Sequence, residues 1–79
     1  MRLRRLAKDA DSGRSGCPAV YVDDDNPAVM AVQAARARRG ARRQMISWLP
    51  GEVAGFIPAE TVIRAARAYL TEHPEAGEL

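Results

Sequence analysis

Two short runs of β-branched and aromatic residues stand out along the chain. Ala19-Val20-Tyr21-Val22 is bounded by turn residues on both sides, and Ala28-Val29-Met30-Ala31-Val32-Gln33 repeats the pattern after a gap. The gap is Asp23-Asp24-Asp25-Asn26-Pro27, which suits a turn because Asp and Asn side chains bond the local backbone and Pro presets φ. The pair predicts an antiparallel hairpin. Val20 and Val22 share one face, with either Val29 and Ala31 or Met30 and Val32 beside them.

From Ala34 to Leu49 the period changes. Ala34, Ala37, Ala41, Met45, Trp48 and Leu49 recur at helical steps, while Arg36, Arg38, Arg39, Arg42 and Arg43 fill the rest of the wheel. Gly40 costs a helix about 1 kcal/mol relative to Ala. Residues 34–40 therefore read as frayed helix or as loop, with a shorter helix from about Ala41 that Pro50-Gly51 stops. Glu52 to Ile57 alternates again and predicts a third strand. Pro58 opens the last helix, with Glu60 in its first turn, and His73-Pro74 ends it. Val62, Ile63, Ala66, Tyr69 and Leu70 form its apolar stripe, opposite Glu60, Arg64, Arg67 and Thr71. On this reading Trp48 packs against Val62, Ile63 and Ala66.

The order β-β-α-β-α predicts an α+β fold, a small antiparallel sheet with one or two helices on one side. Residues 7–16 are small and polar with two Gly and no apolar period, so residues 1–16 read as a flexible basic arm. Residues 17–73 read as a single small domain and residues 74–79 as a frayed tail.

Composition narrows the picture. A chain of 79 residues buries only roughly 60% of its unfolded surface, and its core supplies on the order of 3 to 5 kcal/mol of net stability. Cys17 and His73 are the single cysteine and histidine, so neither an intramolecular disulfide nor a four-ligand zinc site staples the chain. Self-association is then the expected source of extra stability. Arg2, Arg4 and Arg5 precede no apolar segment, and no apolar run is long enough for a membrane span, so a reducing, cytoplasmic setting is expected.

Net charge is only +2 but is laid out in blocks: +3 over residues 1–17, −3 over 18–33, +5 over 34–51 and −3 over 52–79. The densest block holds the strongest functional signal. Arg36, Arg38, Arg39, Arg42 and Arg43 fall within eight residues, and the guanidinium fork pairs bidentately with phosphate or carboxylate. An Arg- and Ala-rich helix can equally be a solvated face, and no Tyr or Phe is interleaved to stack on bases.

Catalytic chemistry finds no support in the inventory. There is no Gly-rich phosphate loop and no Ser or Cys with a neighbouring His. His73 reads as a solvated helix terminus. The acidic run at 23–26 lacks the Gly and the closing Glu of a calcium loop, so it reads as a hairpin turn. Cys17 reads as a structural, half-buried thiol. Neither metal nor cofactor is expected.

Ser15-Gly16-Cys17-Pro18-Ala19-Val20-Tyr21, then Ala28 to Gln33, then Ile57-Pro58-Ala59-Glu60-Thr61-Val62 resemble a group of short actinobacterial proteins of unassigned function. Their genes tend to lie beside those of helix-turn-helix regulators. The resemblance covers residues 1–35 and 52–73 and implies an accessory regulatory role. After Gln33 that group continues with Gly and a less basic stretch, whereas this chain has the Arg-rich segment. The expected function is a non-catalytic protein-interaction module, self-associating and attached to a transcriptional regulator, with Trp48 and Tyr21 as interface residues. The alternative is a nucleic-acid-binding protein using the Arg-rich segment.

Overall fold

The computed structural model describes residues 1–9 and 18–78. In chain order the elements are β1 (Leu3–Lys8), β2 (Ala19–Asp23), β3 (Met30–Gln33), β4 (Ala35–Arg36), α1 (Arg39–Arg43), β5 (Gly55–Phe56), α2 (Ala59–Glu72) and a closing 3-10 turn at Pro74–Glu78. They build a small α+β fold, a three-stranded antiparallel sheet ordered β1-β2-β3 under one main helix, with a second sheet made by β4 and β5. No helix among the described residues is long and apolar enough to cross a membrane.

The expected hairpin forms around its acidic turn. Val20 pairs with Val32 and Val22 with Met30, which puts Met30 and Val32, rather than Val29 and Ala31, beside the two central valines. The Asp23 carboxylate accepts the Asp25 backbone N–H at 2.9 Å, and the Asp23 carbonyl accepts that of Asn26 at 3.0 Å. Such local bonding is what makes Asp a turn former.

Residues 3–8, expected to belong to a flexible arm, instead form an edge strand. Leu3 pairs with Asp23, Arg4 with Val22, Arg5 with Tyr21, Ala7 with Val20 and Lys8 with Ala19, with a bulge at Leu6. A bulge sets two residues against one on the neighbouring strand. Leu6 can therefore join Ala7 against the core from a strand that also carries Arg4, Arg5 and Lys8. Charged side chains on a sheet edge guard it against stray pairing, and they also hide its strand character from an apolar count. The rest of the expected arm and Cys17 lie outside the described residues.

The core is small and built from small side chains. Ala7, Ala19, Val20, Val22 and Ala65 are its buried apolar residues, with Leu6 and Ile57 packed against the cluster of Ala7, Val20 and Ala65. The phase of α2 departs from the expected one. Thr61 and Ala65, each 1% exposed, face the sheet, whereas Val62, Ile63 and Leu70 keep 40–50% of their surface in solvent. Polar tethers account for this rotation. Arg4 on β1 reaches Glu72 with two hydrogen bonds of 2.7 and 3.0 Å, the Arg64 guanidinium donates to the Lys8 carbonyl, and the Tyr69 hydroxyl donates to the Pro27 carbonyl at 2.7 Å. Small residues beneath the helix then let it approach the sheet closely.

Between β3 and α2 the chain makes an excursion through residues 34–56. The expected helix shrinks to α1, five residues long, and the expected third strand becomes β5, which pairs with β4 and leaves the main sheet alone. Gly55 is required at that crossing, since a Cβ there would lie 2.8 Å from the Ala35 carbonyl oxygen. Pro50 and Gly51, the latter at φ +88°, turn the chain back, and Glu52 closes the turn by accepting the Leu49 N–H at 2.7 Å. Trp48 is half-buried inside this excursion and does not join the core cluster with α2.

Candidate functional site

The body of the fold consumes most of its own charges. Arg4 donates to Asp24 and to Glu72, joining β1, the hairpin turn and the end of α2. The Arg4 guanidinium is the leading cause holding the Asp24 and Glu72 carboxyls below the usual carboxylate range, and Arg4 itself is raised by the two anions. Asp23 is lowered mainly by the backbone N–H of Arg2, with that of Asp25 helping. Arg2 also pairs with Asp25 at 2.7 Å. Asp24 is thus held by Arg4, whereas Asp23 and Asp25 both meet Arg2, one at its backbone N–H and the other at its guanidinium. Among the described residues, no three side chains of His, Cys, Asp or Glu stand together as metal ligands.

The excursion is built in the opposite way. Arg36 lies on β4, Arg38 precedes α1, and Arg39, Arg42 and Arg43 belong to α1; all five are exposed, and none makes an ion pair among the described residues. Arg42 and Arg43 sit in the last turn of α1, where cations suit the carbonyl end of a helix. The Arg42 guanidinium also stands 5.2 Å from the centroid of the Trp48 ring, within cation–π range. Five arginines against the single Glu52 make residues 34–56 strongly positive, while the rest of the chain carries a net −2.

Apolar surface accompanies that charge. Ile46 is 98% exposed and Val53 94%, with Leu49 also largely in solvent. Where the excursion leaves the sheet, Val32, Val53 and Ile57 border a shallow recess with Ala34, Ala54 and Gly55. On α2, Val62 and Ile63 are each about half exposed.

Of the residues singled out in the sequence, the five arginines and Trp48 are brought into one unit. Tyr21 is not part of it. Alternation from Val20 and Val22 turns Tyr21 to the sheet face away from α2, where its hydroxyl donates to Gln33 Oε1 at 2.7 Å. His73 caps α2, its ring 4.6 Å from that of Tyr69 and its Nδ1 3.5 Å from Glu75. Sequence reasoning missed Ile46, Val53 and Arg4. Ile46 and Val53 carry no period that marks them as exposed, but the −3 turn required a counter-charge, and the basic block before it was the available source. No family model, curated protein or solved structure matches the chain.

Proposed function

We propose that the chain is a non-catalytic protein-interaction module that self-associates in the cytoplasm. The observation that carries this reading is apolar surface on and beside the 34–56 excursion, where Ile46 is 98% exposed, Val53 94%, Leu49 62% and Val32 59%. Apolar side chains gathered on one surface are the mark of an association site. Sedimentation velocity across the micromolar range tests the proposal. A concentration-dependent shift to a larger species supports it, and a constant monomer overturns it.

Attachment to a transcriptional regulator rests on the resemblance of residues 1–35 and 52–73 to proteins encoded beside such regulators. Pull-down from a native lysate with nuclease treatment tests it, a regulator retained after nuclease being the supporting outcome. A second reading, nucleic-acid binding, is favoured by five exposed arginines with no ion pair among the described residues. Its mark is affinity that falls steeply with salt and shows little sequence preference, and the absence of a gel shift at about 50 mM salt removes it.

A further inference from the structure

We infer that two copies join edge to edge through β3, Met30–Gln33 of one chain running antiparallel to Met30–Gln33 of the other. This rests on the self-association proposed above and names the strand that carries it. The register of the hairpin shows which backbone groups are free. The Asp23 N–H donates to the Val29 carbonyl, and further along Tyr21 stands opposite Ala31 and Ala19 opposite Gln33. Hydrogen-bonded and non-hydrogen-bonded pairs alternate along an antiparallel ladder. Val29, Ala31 and Gln33 therefore direct their N–H and C=O groups at β2, while those of Met30 and Val32 point away from the sheet. Among the described residues, nothing bonds these outward groups.

The two edges of the sheet are built differently. Strand β1 carries Arg4, Arg5, Lys8 and a bulge, devices that keep an edge from pairing with other chains. Strand β3 has no charge, no proline and no bulge. Its side chains are also left uncovered, because α2 lies over β1 and β2. On the face that α2 occupies, Met30 keeps 39% and Val32 59% of its surface in solvent.

A second copy of β3 matches this edge in bonds, side chains and charge. With Ala31 opposite Ala31 on a two-fold axis, Met30 of each chain forms a hydrogen-bonded pair with Val32 of the other, which uses every outward group of both residues. The same register lays Met30 beside Val32 on the α2 side and sets only alanine at the close approach on the axis. Antiparallel pairing carries the two Arg-rich segments to opposite ends of the joint sheet, whereas parallel pairing would set them side by side. The product, two three-stranded sheets joined, ends on β1 at both sides. Each unguarded edge is thus used once, and the assembly closes with only guarded edges outside.

Proline tests this, because it removes a backbone donor and is tolerated where that donor faces outward from an edge strand. Val32→Pro deletes an outward N–H but no bond to β2, so the full chain should keep its far-UV circular dichroism. In sedimentation velocity it should associate at least about tenfold more weakly than wild type. Met30→Pro, the same change at the other outward residue, replaces it should Val32→Pro lose its fold. Amide exchange on the wild type needs no variant: the Met30 and Val32 N–H groups should be protected in the associated protein and lose that protection on dilution, while Ala31 and Gln33 stay protected. A folded proline variant that associates at wild-type strength overturns the inference and leaves self-association standing, and so do Met30 and Val32 amides that exchange freely in the associated protein. A wild type that is monomeric throughout overturns self-association itself, and the inference with it.

Discussion

Thr61 is the position where the phase of α2 is most sharply testable. It is 1% exposed, and its Oγ1 is buried without a hydrogen-bond partner among the described residues. An unpaired buried hydroxyl costs about 1 to 3 kcal/mol in proteins. Thr61→Val keeps the β-branch and nearly the volume, and Val and Thr have similar helix propensities. The substitution should therefore stabilise the fold by roughly 1 kcal/mol or more, which raises Tm by about 4–8 °C in a domain of this size. Thr61→Ala is the control. It removes the same hydroxyl but also a buried methyl, whose loss costs about 1 kcal/mol, so the two effects should nearly cancel. Thermal melts followed at 222 nm, at one fixed protein concentration because association shifts Tm, read both variants. Destabilisation by Thr61→Val would refute the reasoning, since it would mean that the hydroxyl is bonded or that α2 turns another face to the sheet.

Ala65→Asp places a charge against the 1%-exposed core and should unfold the chain, while Ile63→Asp, half in solvent, should keep its helical circular dichroism. Gly55→Ala should push β4 from β5 through the 2.8 Å contact with Ala35, accelerating amide exchange at Ala35–Phe56 pairing while leaving β1 to β3 protected. Because Asp23, Asp24 and Glu72 all have folded pKa values below their ordinary ones, their contribution is complete above the carboxylate range and is lost as pH falls below about 4. An acid titration of Tm should show that fall, and Arg4→Ala should flatten it by removing the Asp24 and Glu72 part. Arg4→Lys should restore it incompletely, since an ammonium lacks the fork that serves two carboxylates at once.

The sequence made the β2–β3 hairpin legible because its apolar alternation and its turn chemistry agree. The limits of α2 were legible for a similar reason: Pro58 and His73-Pro74 mark its ends by backbone chemistry alone. Which face of α2 turns inward was not legible. Hydrophobicity favoured Val62, Ile63 and Leu70, but the helix docks through Thr61 and Ala65, where small side chains allow close approach and Arg4, Arg64 and Tyr69 supply fixed points. Those fixed points join residues far apart in the chain, so no local pattern encodes them. Strand β1 was missed because three of the residues at its pairing positions, Arg4, Arg5 and Lys8, carry a charge, and the bulge at Leu6 breaks the alternation that remains. In the candidate surface, the basic strip was evident from spacing, whereas the exposure of Ile46 and Val53 depends on where the chain turns back.

The Arg4–Glu72 pair spans 68 residues, and that separation orders the events of folding. The β2–β3 hairpin closes a six-residue connection and α2 forms from local bonds, so both can appear within microseconds. Closing the 68-residue loop costs roughly 2 kcal/mol more in chain entropy than closing the hairpin. Strand β1 can join β2 across a far shorter loop, so it is the end of α2, and not the strand, that is secured last. Until Arg4 and Glu72 meet, the helix can leave the sheet at that end while all three strands stay paired.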